Sequence, residues 1–292
     1  MNIKMISLNS NFPFPIYKTP FFYGWVILIF GSISFFFSIP GQTVGISPYT
    51  DALITALAIS RENLSLAYFF GTMSSAIVLT TTGKIYDIFG DRITGTVVCF
   101  VFGSVLILLS YVETIQNLMT SYFPFLLPAT TAFFLMILAF FSMRLLGQGL
   151  ITLVSRNMIM KWFDTRRGFA NGILGTCITL GLSYSPRLLN DLIEVMTWQI
   201  SWRFLGQIIA VVGGISFFLI ARDTPQQCGL KPDGFIKPKL ETGVDHKLAA
   251  LDYTLKQAQK TYSFWIFVIT NAMFGLCITG IAFHIVNIFN GY

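Results

Sequence analysis

Arg144, Gln148, Thr152 and Ser155 recur at helical spacing inside one long apolar stretch. On a helical wheel Gln148 and Ser155 fall within about 40° of Arg144 and Thr152 within about 80°, so the four make one polar stripe. If that stretch lies in a bilayer, a charge at its centre costs about 3 kcal/mol or more unless it faces water or a partner, and Arg144 becomes a candidate for binding. Roughly five helical turns separate it from Lys161, too far to snorkel to that side. Reaching the headgroups of the other side is the alternative. Two further apolar segments offer polar faces that can complete a cavity wall. One carries Ser34, Ser38, Gln42 and Gly45 with a break at Pro40-Gly41, and the other carries Ser65, Tyr68, Thr72 and Ser75. Such faces also serve close helix packing, and spacing alone does not separate the two uses.

His284, with Gly280 and Asn287 on its face, joins the cavity set because an imidazole changes charge near neutral pH. A proton-coupling role stands there beside a plain hydrogen-bonding or headgroup-facing one. The acidic residues Asp51, Glu62, Glu113, Asp191 and Glu194 all fall at the ends of apolar runs or in loops, so no carboxylate relay is visible. His246 and His284 are far apart, no Ser/His/Asp or metal-ligand cluster is present, and no G-x-x-x-x-G-K-[ST] loop occurs. We therefore expect neither an enzyme nor a cofactor or metal site. Cys99, Cys177, Cys228 and Cys277 lack paired spacing and are expected as free thiols. A cationic cavity without carboxylates suits a small anionic solute.

The elements that must position these residues follow from composition. The 292 residues are 54% hydrophobic and only 11% charged, where a soluble domain carries about a quarter charged. Such a chain belongs in lipid. Spanning helices need about 20 mostly apolar residues, and runs of that length lie near 22–45, 63–82, 93–112, 129–160, 169–190, 200–221 and 263–290. The fourth is best entered after Pro128 as one long helix. Splitting it would put Lys161, Arg166 and Arg167 across the membrane from Lys84 and Arg92, against the positive-inside rule. That rule places the N-terminus and the central loop in the cytoplasm. It also accounts for the net charge of +6 without nucleic acid, because the basic residues sit in loops between apolar runs. The layout is a segment 1–21, a six-helix half 22–221, a central loop 222–262 and a seventh helix 263–292. Residues 244–260 can form a short surface helix.

The loop after the second run reads Gly83-Lys84-Ile85-Tyr86-Asp87-Ile88-Phe89-Gly90-Asp91-Arg92. Its glycines permit unusual dihedrals and Asp87 can cap a helix start. In type and spacing it resembles the signature between helices 2 and 3 of the major facilitator superfamily. Asp91 stands where that family usually has a basic residue. Four further stretches agree: Arg144-Leu145-Leu146-Gly147-Gln148-Gly149; residues 162–172, with Arg166, Arg167 and Gly168 at the junction of helices 4 and 5; Ser201-Trp202-Arg203; and Asp223-Thr224-Pro225 with Gly229-Leu230-Lys231-Pro232-Asp233-Gly234. The combination leans towards the monocarboxylate and oxalate/formate-type branch.

The resemblance implies an all-α membrane protein with the six-helix N-terminal bundle and helix 7 of an expected twelve, C-terminally incomplete at Tyr292. It implies secondary active transport by alternating access, with Gly83, Asp87, Gly90 and Arg92 as a conformational latch against the other half. Arg144, Gln148, Thr152, Gln42, Tyr68 and His284 form the expected substrate cavity. The expected partners are the lipid bilayer, a small anionic solute such as a monocarboxylate or dicarboxylate, and a proton or counter-anion as coupling ion. The alternative is a truncated or partner-dependent, non-transporting membrane subunit, and a second chain supplying the missing half is a further candidate partner.

Overall fold

Gly90 divides the longest helical stretch of this protein. The computed structural model describes residues 12–16, 19–123, 125, 127–234 and 255–290, and the chain separates into two units, Met1–Gly234 and Phe235–Tyr292. Every regular element among the described residues is helical. In order they are α1 (Gly24–Gly41), α2 (Thr50–Leu57), α3 (Arg61–Leu109), α4 (Val112–Tyr122), α5 (Pro128–Trp162), α6 (Arg167–Met196), α7 (Trp198–Ile220) and, in the second unit, α8 (Tyr262–Asn290), with short turns between. Four of them, and Tyr262–Ile281 within α8, are long and apolar enough to cross a membrane: α1, α3, α5 and α7.

At about 1.5 Å per residue the 49 residues of α3 would reach some 74 Å, well over twice a bilayer's hydrocarbon thickness. Gly90 resolves this with φ 72° and ψ −176°, so α3 contains two membrane-length pieces. The break is built for glycine twice over. A β-carbon at Gly90 would stand 2.5 Å from Asp223 Oδ1, in a backbone region L side chains rarely adopt. Gly90→Ala should therefore lower stability by about 2 kcal/mol, read as an earlier melting midpoint in detergent, while Gly83→Ala, inside the helix and with a β-carbon that would meet nothing within 4 Å, should leave the midpoint unchanged or slightly raised.

α1 is α-helical over Gly24–Ser34 and tightens to a 3₁₀ helix over Phe35–Gly41, where Pro40 removes a backbone donor. Gln42 is extended at φ −82°, ψ 155°, and the chain then restarts at Thr43. α5 begins at Pro128, where a missing N–H costs nothing, and its middle widens into a π-helix over Arg144–Ile151. The two irregular stretches meet: a β-carbon at Gly41 would strike Met143 O and lie 2.8 Å from Gly147 Cα. α1 packs on α5 and α6, and the two halves of α3 pack on α5 and α7.

On α6 a β-carbon at Gly168, Gly172 or Gly175 would meet nothing within 4 Å, whereas Gly181 abuts Phe36. Gly, Ser and Thr also dilute its hydropathy, and α6 falls outside the set of apolar crossing helices. In the second unit, residues Leu255–Ala258 of the expected surface helix are helical. Gln259 and Lys260 form a turn, and residues 244–254, His246 among them, and the side chain of His284 lie outside the described residues.

Candidate functional site

Arg144 opens the π-helix of α5, and its guanidinium is held by neutral groups. Nη1 donates to Thr43 Oγ1 at 3.2 Å, and Cζ lies 5.5 Å from the centroid of the Tyr68 ring. The Tyr68 hydroxyl shares a 2.8 Å hydrogen bond with Thr43 Oγ1, closing a three-residue cluster from α1's restart, α3 and α5. Arg144 is 8% exposed and makes no ion pair among the described residues. Phe140, one turn earlier on α5, packs edge-on against Tyr68 at 5.2 Å and keeps that ring in place.

The rest of the stripe faces α1. Gln42 Nε2 donates to Ser38 Oγ at 3.1 Å and to Thr152 Oγ1 at 3.3 Å. Two turns deeper, Ser34 and Ser155 share a 2.7 Å hydrogen bond and are both fully buried, so that end is helix packing. Gln148 contributes a buried Oε1 with no hydrogen-bond partner among the described residues, and Thr72 Oγ1 is in the same condition. Buried polar groups are ordinarily satisfied, so these two atoms are exceptions among the described residues. The structure thus brings Arg144, Tyr68, Gln42 and Thr152 into one hydroxyl-rich wall. It adds Thr43, which wheel arithmetic misses because the extended Gln42 breaks the register of α1.

The 83–92 segment is organised differently from a simple turn. Residues 83–89 continue the helix, so Asp87 caps nothing: it is exposed and makes no hydrogen bond or ion pair among the described residues. Gly83 sits one helical turn before Asp87 on the same open face. Arg92, by contrast, is 2% exposed. Its backbone N–H donates to Asp223 Oδ1 at 3.0 Å, Nε donates to Phe218 O at 2.7 Å, and its guanidinium lies 5.0 Å from the Phe218 ring. Asp91 turns inward too, wholly buried, with Lys161 Nζ 2.8 Å from Oδ2 and the Tyr86 hydroxyl donating to Oδ1. Lys161 also donates to the Tyr86 oxygen at 2.9 Å. Burial raises the Asp91 carboxyl to about 6, although Lys161 and Tyr86 pull it down. Burial likewise raises the Tyr86 phenol, with the Asp91 charge adding to it.

Arg166, Arg167 and Gly168 lie at the α5–α6 junction, with exposed side chains on the two arginines. Arg167 Nε donates to Phe163 O at 3.1 Å, and Nη2 lies 3.4 Å from Asp164 Oδ1. The residue that organises this turn is Asp233, far along the chain. Its carboxylate accepts the backbone N–H groups of Asp164, Thr165 and Arg166 at 2.9, 2.6 and 3.3 Å, and its own N–H donates to Trp162 O at 3.1 Å. A side chain that satisfies several orphan donors at a helix start is worth about 1–2 kcal/mol. Asp233→Ala should lower the melting midpoint accordingly and speed protease cleavage after Gly234.

A family model for the Major Facilitator Superfamily matches residues 115–291, more than half of the chain. That region holds Arg144, the π-helix and the α5–α6 junction, while the 83–92 segment precedes it. No curated protein and no solved structure gives a significant match.

Proposed function

We propose that this chain, which belongs to the major facilitator superfamily, is a multi-pass membrane transporter that moves a small organic anion, a monocarboxylate or dicarboxylate, by alternating access. Family membership and the long apolar helices carry the transporter and membrane parts. The single observation that supports the anion is Arg144: a nearly buried guanidinium neutralised by no carboxylate among the described residues, resting on a hydroxyl and an aromatic face. A carboxylate entering beside it gains charge-assisted hydrogen bonds in a site poor in water, where they are strongest. Tyr68 and Thr43 orient the arginine, and Gln42, Gln148 and Thr152 shape the remaining wall. Gly83 and Asp87 form the open face of the latch, and Gly90 and Arg92 anchor it to the bundle. The basic residues around this end support a cytoplasmic placement. His284 is the coupling candidate, with a proton or a counter-anion as coupling ion.

The test is uptake of radiolabelled acetate, lactate and succinate into sealed proteoliposomes holding the purified chain. Uptake of an anion but not of a size-matched amine, lost in Arg144→Ala, is the expected result. Equal uptake by wild type and variant would sink the role of Arg144. The open glycine face of α6 favours one alternative, a subunit that transports only with a second chain. Uptake appearing only on co-expression of that partner would decide for it.

A further inference from the structure

A second cavity lies away from the arginine. Phe36, Pro40, Leu180, Tyr184, Leu188 and Leu205 are among the side chains around a space of 490 Å³ between α1, α6 and α7. That is within the size range of ligand pockets, about 300–1,000 Å³. Three backbone irregularities hold it open where straight helices would close at about 8–10 Å between axes: the 3₁₀ stretch Phe35–Gly41 in α1, Pro186 inside α6, and the π-helix Ile208–Gly213 in α7. Ile208 and Ile209 of that π-helix line the space. Its one buried hydroxyl is already used. Pro186 leaves the Leu182 carbonyl without its helical donor, and Ser185 Oγ fills the gap at 3.2 Å. The one other hydroxyl, that of Tyr184, belongs to an exposed residue at the open edge, so the interior of the space is apolar.

The space is open at one side, along exposed Leu180, Tyr184 and Leu188. Arg187 lies between the last two on α6, exposed and without an ion pair among the described residues, and Asp191 one turn further on does not bind it. Twenty residues after Arg167, Arg187 stands about 30 Å along α6, close to the hydrocarbon thickness of a bilayer. Arg187 is not itself among the side chains around the space but is the exposed cation next to its Leu188 rim, and an apolar slot with a cation beside its open edge matches one chemistry. We propose that this groove binds an acyl chain of an anionic phospholipid, with the headgroup phosphate on Arg187 and the tail between α1, α6 and α7.

Native mass spectrometry of the purified full chain tests this with phosphatidylglycerol and phosphatidylcholine of equal chain length. Wild type should retain phosphatidylglycerol in preference to phosphatidylcholine. Leu180→Trp fills the groove from an exposed position that folding tolerates. It should lower retention of both lipids about tenfold, the effect of losing the burial of roughly two methylenes. Arg187→Gln should abolish the headgroup preference while keeping the lipid. Leu138→Trp, exposed on α5, should change nothing. Unchanged retention in Leu180→Trp, or an equal loss in Leu138→Trp, would mean ordinary boundary lipid and overturn the proposal. So would protection of Leu180→Cys from a maleimide that persists after the lipid is stripped away, which would mean that protein covers the groove.

Discussion

Replacing Arg144 with Met should abolish anion uptake while leaving the protein as stable as wild type or more so. Loss of one partner from a buried charged contact costs about 2–5 kcal/mol, so uptake efficiency should fall by about 30-fold or more. The guanidinium gains only a 3.2 Å bond to Thr43 and the Tyr68 face in the resting protein, set against the desolvation of its charge. An apolar replacement of similar length removes that penalty, and such swaps are commonly neutral or stabilising. Arg144→Lys should recover a minor fraction of uptake, because a point charge cannot present the planar fork to a carboxylate. The diagnostic outcome is the split between uptake and melting midpoint. A variant that loses both has lost its fold, and Arg144 is then a structural residue.

The opposite pattern is expected at the far end of α5. Lys161→Met should destabilise by about 3 kcal/mol, because it strands the fully buried Asp91 carboxylate, and Lys161 is the partner that keeps some contact with water. Asp91→Asn with Lys161→Met together should recover most of the loss, the signature of a coupled pair. The pair also carries a pH dependence. With its folded value raised to about 6 and its unfolded value near 3.8, Asp91 favours folding when protonated. Its contribution is complete below the unfolded value and fades as pH rises through 6. Wild type should therefore melt later at pH 5 than at pH 7.5 in a matched detergent, with Asp91→Asn flattening the difference. An unchanged slope in Asp91→Asn would assign the pH response to another group.

How much of this was legible depends on whether neighbours in space are neighbours along a regular helix. Arg144 and Tyr68 could be picked out because hydropathy marks the membrane and polar residues within it stand out. Gln42, Thr152 and Ser155 also sit on the expected faces. Thr43 escaped because helix angles assume an unbroken helix, and α1 is α-helical, then 3₁₀, then extended within a few residues. The 83–92 motif was readable as a string, yet its mechanics were not. Asp87 looked like a cap and is an exposed helical residue, while Asp91, the departure from the family pattern, found a partner 70 residues away in Lys161. Asp223 and Asp233 act through backbone N–H groups, which have no sequence signature at all.

Arg144 also bears on the order in which the chain can enter a membrane. A helix carrying that charge is costly to release into lipid by itself, by about 3 kcal/mol on insertion scales. The groups that shelter it, Thr43 and Tyr68, belong to segments synthesised earlier. By the time the ribosome delivers α5, its docking site is already in the bilayer. The same hydroxyl and ring that prepare the guanidinium for a passing anion can therefore receive it at birth, and a Thr43→Val, Tyr68→Leu chain should stall at glycosylation-mapped insertion of α5 before any question of transport arises.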